Sequence, residues 1–147
     1  DLAALNQELG IQALYQNHAG ANSVGAAIWD ICEIIEELPR EAVSLAFDIR
    51  HATAEAGYAW RVNAHRAMPL TRAIYVKDFV WGEEKAQNVP LGEGRVSKKF
   101  FSEFKINEFD GPISLHMEYI RRTEPDAVSR GKKAYAADFE ALKKLLR

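Results

Sequence analysis

Four apolar runs in this 147-residue chain each end in a cluster of ionisable or amide side chains, and stretches with helical periodicity separate them. Residues 11–14 lead to Tyr15, Gln16, Asn17 and His18, and residues 43–47 lead to Asp48, Ile49, Arg50 and His51. Residues 73–76 lead to Lys77 and Asp78, and residues 113–115 lead to His116, Met117 and Glu118. Continuous apolar runs suit strands covered on both faces, as in parallel sheets. Strand-helix alternation with short turns means an α/β fold. In such folds the carboxyl ends of the strands open on one face, where ligands bind. Four polar strand ends therefore predict one composite site.

The helical stretches carry their own signals. Residues 1–8 read as the end of a helix stopped by Gly10. Ser23 is placed to cap a helix reaching about Leu38, with Val24, Ile28, Ile31, Ile35 and Leu38 on its buried face and Pro39 behind it. A second helix is expected over 54–67, stopped by Pro69. Residues 79–95 read as a long loop rich in Gly, Glu and Lys, of the kind that is usually functional or mobile. Ser97 is placed to cap a short helix with Phe100, Phe101 and Phe104 on its core face. A closing helix presents Tyr135, Phe139, Leu142 and Leu146. No linker divides the chain, so one domain over residues 1–147 is expected.

Composition removes several classes of function. The 19 basic and 21 acidic residues are mixed and the net charge is −2, which argues against a nucleic-acid surface. The single cysteine, Cys32, rules out a disulfide framework and a cysteine-based zinc site. No run approaches a membrane span and no signal peptide is visible, so a cytoplasmic protein with no membrane partner is expected. The start at Asp1 rather than Met leaves an upstream segment open. No GxGxxG, GxxxxGK[ST] or GxSxG pattern occurs. The Gly92-Glu93-Gly94 turn offers backbone N–H groups to an anion.

Among the polar strand ends, Asp48 is a hard oxygen ligand or proton acceptor, and His51 can orient a hydroxyl or ligate an ion. Asp48 equally suits the cap of the next helix. Lys77 and Asp78 suit a salt bridge on a strand edge. His116 and Glu118 are two apart and so project to one side of a strand. A Glu and a His aimed into one cavity are costly unless solvated, paired or metal-bound. Gln16 and His18 repeat that spacing, whereas His65 lies mid-helix and reads as structural or surface.

At this point five segments resemble the sugar phosphate isomerase/epimerase proteins, TIM barrels related to xylose isomerase and endonuclease IV. They are Tyr-Gln-Asn-His-Ala-Gly at 15–20, Phe-Asp-Ile-Arg-His-Ala at 47–52, Val-Lys-Asp-Phe-Val-Trp at 76–81, Val-Pro-Leu-Gly-Glu-Gly at 89–94 and Gly-Pro-Ile-Ser-Leu-His-Met-Glu-Tyr at 111–119. The resemblance spans nearly the whole chain and matches strands five to eight of the barrel. It implies four βα units forming the carboxyl-terminal half of a (β/α)8 barrel, truncated at the amino end. It also implies a metal-assisted proton transfer between carbons of a ketose.

Carried over position by position, the resemblance makes Asp48 a metal ligand, His51 a substrate-contacting catalytic residue, and Glu118 both ligand and base. Gln16 stands where the family commonly has a metal-binding, catalytic Glu, and Tyr75 where a His ligand is usual. The implied ion is Mn, Mg, Zn or Co, held by Asp48, Glu118 and Gln16, with His18, Lys77, Asp78 and His116 on the substrate. A Gln cannot act as a base, and a Tyr is a poor ligand near neutral pH. The implied substrate is a sugar or sugar phosphate; the alternative is a carbohydrate-binding or repurposed barrel without turnover. Four strands leave two open edges and an uncovered inner face, so a homodimer or pairing with the missing amino-terminal half is expected.

Overall fold

Residues 43–48 are buried without interruption, and they form the centre of the sheet. The computed structural model describes residues 2–147. The central strand, β2 (Val43–Asp48), pairs in parallel with β1 (Ala13–Gln16) and with β3 (Thr71–Val76). With β6 (Ile113–Leu115) the order is β1-β2-β3-β6, the α/β sheet that the apolar runs predict. Helices α1 (Leu2–Leu9), α2 (Ile28–Glu36), α3 (Ile49–Ala56), α4 (Trp60–Ala67), α5 (Lys99–Glu103) and α6 (Ala127–Leu145) precede, separate and follow the strands of this sheet, with both α3 and α4 between β2 and β3. No helix among the described residues is long and apolar enough to cross a membrane.

The described residues form two compact units, residues 2–75 with 111–113, and residues 76–110 with 114–147. The first has Ile28, Cys32, Leu45, Phe47, Ile49, Ala64 and Ile74 in its core, with α4 packed on α2 and α3. The second has Phe79, Phe100, Ile106 and Leu142. Each such large side chain contributes about 1.5–3 kcal/mol by leaving water.

Several boundaries differ from the sequence reading, each for a local reason. The helix expected over 54–67 is two, because Gly57 turns the chain into the left-handed region at φ 53° after α3. The helix expected from Ser23 begins only at Ile28, and its cap residue Ala27 offers no side-chain acceptor. Gly25 sits at φ 72°, and a Cβ there would lie 2.9 Å from Ile31, so residues 23–27 are turns and Val24 is exposed. Ser97 precedes the cap residue of α5, Lys98, although its hydroxyl still accepts from Lys99 N–H at 3.3 Å. The expected loop 79–95 contains an antiparallel hairpin, β4 (Asp78–Trp81) with β5 (Ala86–Val89), closed by Gly82 N–H donating to Lys85 C=O at 3.0 Å. On α6 only Leu142 of the predicted apolar face is fully buried, and Tyr135 and Phe139 stack on each other while staying exposed.

Candidate functional site

The strand ends of the first unit gather five polar side chains around Asp48. This aspartate ends β2 and caps α3, its Oδ1 accepting the His51 backbone N–H at 3.1 Å. Its Oδ2 accepts from Gln16 Nε2 at 2.9 Å, and the His51 ring nitrogen Nε2 lies 3.7 Å from the same oxygen. Asp48 is fully buried, so these donors replace the water it has lost. Asn17 completes the frame: its Oδ1 accepts Asp48 N–H at 2.8 Å and its Nδ2 donates to Asp48 C=O at 3.1 Å. An amide side chain here acts as one more rung of the β1-β2 ladder.

The same contacts orient His51. Its Nδ1 accepts Ala19 N–H at 3.1 Å, with Arg50 Nη1 also 3.2 Å away, so the ring proton belongs on Nε2, toward Asp48. The His18 ring sits 4.7 Å from that of His51, and His18 Nδ1 lies 3.1 Å from Gln16 C=O. His18 is exposed, which leaves its other edge to solvent. Tyr75, on β3, is the direct cross-strand partner of Asp48.

The second unit holds a different cluster. Lys77, only 4% exposed, donates to Glu118 Oε1 at 2.9 Å, and Asn88 Nδ2 donates to Oε2 at 3.2 Å. His116 Nδ1 lies 3.5 Å from Glu118 Oε1, and its Nε2 lies 3.1 Å from Ser114 Oγ. The Glu118 side chain is 45% exposed, so this carboxylate is held and still reachable from solvent.

Lys77 and Asp78 do not form the salt bridge their adjacency suggested, because consecutive residues leaving a strand point to opposite sides. Asp78 is 1% exposed and accepts four backbone N–H groups: Phe79 (2.8 Å) and Val96 (2.9 Å) on Oδ1, Gly92 and Gly94 (both 3.0 Å) on Oδ2. The anion that the Gly92-Glu93-Gly94 turn binds is this carboxylate. A Cβ at Gly94 would lie 2.3 Å from Asp78 Oδ1, so only glycine lets the backbone come so close. Asp78, expected on the substrate, is the anchor of its own loop. Leu91 N–H on the same loop donates to buried Asp138 at 3.2 Å. Burial, and then the hydrogen bond to Asp138, push the Tyr119 hydroxyl well above its ordinary range.

Sequence reasoning passed over Asn17, Asn88 and Ser114 as site residues. Asn17 carried a signal, a polar residue directly after an apolar strand. Asn88 carried none, since the hairpin that delivers it was read as loop. The depression lined by Asn6, Gln7, Gly10, Ile11 and Glu41 lies at the amino ends of β1 and β2, away from the Asp48 cluster.

A family model described as xylose isomerase-like TIM barrel matches residues 1–145. Two solved structures are similar. One is a xylose isomerase domain protein from Planctomyces limnophilus, at 19% identity and TM-score 0.65, over 97% of this chain and 50% of that one. The other is a D-tagatose 3-epimerase-like protein, at 16% identity and TM-score 0.64, over 99% and 53%. The chain thus spans about half the length of each. No curated protein matches it. With a barrel family matched almost end to end and a parallel sheet that fits it, the chain belongs to the xylose isomerase-like TIM-barrel family.

Proposed function

We propose that this protein serves as a sugar isomerase or epimerase, moving a proton between neighbouring carbons of a ketose or its phosphate. The Lys77–Glu118 pair carries this reading, since it joins a reachable carboxylate to a nearly buried ammonium. In the reaction, Glu118 takes the proton from the carbon beside the sugar carbonyl. The C–H electron pair becomes the C=C bond of an enediolate, and charge grows on the former carbonyl oxygen. A fixed ammonium is suited to hold that charge, because it needs no reorganisation as the charge develops. Return of the proton from Glu118 to the neighbouring carbon gives the isomer, while an epimer requires a proton delivered to the opposite face by a second acid or by solvent. His116 serves the proton traffic at the sugar oxygens.

The donors present do not suit the divalent ion that the family implies. Both Asp48 oxygens accept N–H groups, Gln16 presents an amide nitrogen, and Glu118 already holds an ammonium. Among the described residues no three His, Cys, Asp or Glu side chains come together as an ion would need. These residues do not fit a divalent ion, and no step above runs through one.

Glu118→Gln removes the base at nearly constant volume and is expected to lower ketose turnover by ~10²–10⁴-fold while the fold persists. Unchanged turnover in a folded variant would exclude Glu118 as the base. A second reading, sugar binding without turnover, draws on Gln16, which cannot pair with Glu118 as a second base. Calorimetric sugar binding with no product would favour it.

A further inference from the structure

The two carboxylates that the family resemblance gives to a divalent ion each hold a built-in proton donor. We propose that neither Asp48 nor Glu118 in this protein holds a divalent metal, the Gln16 amide standing at Asp48 and the Lys77 ammonium at Glu118 where an ion would otherwise sit.

The Asp48 side follows from the chemistry of an amide. Gln16 Nε2 lies 2.9 Å from Asp48 Oδ2. Turning the amide round would set its carbonyl oxygen against a carboxylate oxygen, two acceptors with no proton between them. Gln16 therefore presents N–H protons toward Asp48, which repel a cation. The other Asp48 oxygen is fixed as the cap of α3. On the neighbouring strand the partner of Asp48 is Tyr75, a neutral phenol near neutral pH and a weak ligand.

The Glu118 side follows from charge. The Lys77 ammonium is almost wholly removed from water and is stabilised there by Glu118 Oε1 at 2.9 Å. A divalent ion on that oxygen would face a like charge within a few ångström, at the low effective dielectric of a protein site. Asn88 fills the second oxygen with another N–H donor. Both carboxylates thus have their counter-charge or donor covalently supplied by the chain. This inference rests on donor geometry and not on turnover, so the failure of the isomerase reading would leave it standing.

Metal analysis of protein grown with Mn, Zn and Co and purified without chelator is the first arm. Far less than one ion per chain is expected, and about one tightly held ion per chain would overturn the proposal. Thermal unfolding with and without Mn²⁺ is the second arm, run on the wild type and on Gln16→Glu. The variant sets two carboxylates against each other, so its Tm should fall in chelator and recover with Mn²⁺, whereas the wild-type Tm should not move. A wild-type Tm raised by Mn²⁺ as far as the variant's would overturn the proposal. Should Gln16→Glu fail to fold, the metal content and Mn²⁺ response of the wild type decide the matter alone.

Discussion

Asp48 and Asp78 both follow a buried apolar run and both are themselves almost completely buried, yet they are satisfied in opposite ways. Asp78 accepts four backbone N–H groups, three of them from the Gly92–Val96 turn that wraps it. Asp48 accepts one backbone N–H, and its remaining oxygen faces the side chains of Gln16 and His51. A carboxylate held by backbone cannot be released without unfolding a loop. One held by side chains can exchange partners, which is what binding a sugar hydroxyl requires. The comparison assigns Asp78 to architecture and leaves Asp48 available to function.

The strongest way to break this comparison is Asp78→Ala. It strands several buried N–H donors at once and should cost about 3–5 kcal/mol of stability. Urea unfolding would measure it, and a loss below that of the Asp48 variant would reverse the assignment. Asp48→Ala should cost less, ~1–3 kcal/mol, for a helix cap and one side-chain hydrogen bond. Asn17 keeps both of its bonds to the residue-48 backbone in that variant, so β1 and β2 should stay paired.

A third buried aspartate sharpens the scale at its weak end. Asp138 has one backbone donor, Leu91 N–H, and the Tyr119 hydroxyl. Burial raises its pKa, and these two bonds only partly offset the rise. An acid with a raised folded pKa binds more protons folded than unfolded. Its contribution is therefore complete below the unfolded pKa and is lost as pH rises through the folded value. Stability of the wild type relative to Asp138→Asn should thus fall as pH rises above the ordinary aspartate range, about pH 4. A flat difference would show that Asp138 keeps its ordinary affinity for protons.

Much of this was legible in the sequence, and the rest was hidden for physical reasons. The run at 43–48 announced a strand covered on both faces because burial there is continuous. The anion-binding turn at 92–94 and the aspartate at 78 were each visible, but not their union, since 14 and 16 residues separate the partners. The same limit applies to Lys77, whose partner lies 41 residues on, while the adjacent Asp78 is out of reach on the other side of the strand. The β4-β5 hairpin was missed because Gln87 and Asn88 give β5 the composition of a loop. Asp48 read equally as cap or as site from sequence, and its geometry shows the cap, with the Gln16 amide on its second oxygen.

The measurement that bears most directly on the central claim is hydrogen exchange at the sugar carbon. The protein is incubated in D₂O with a panel of ketoses and ketose phosphates, and the C–H signals beside the carbonyl are followed by NMR. The account predicts loss of one such signal with at least one sugar, catalysed by the wild type and abolished in Glu118→Gln. Exchange that persists at the wild-type rate in folded Glu118→Gln would contradict it.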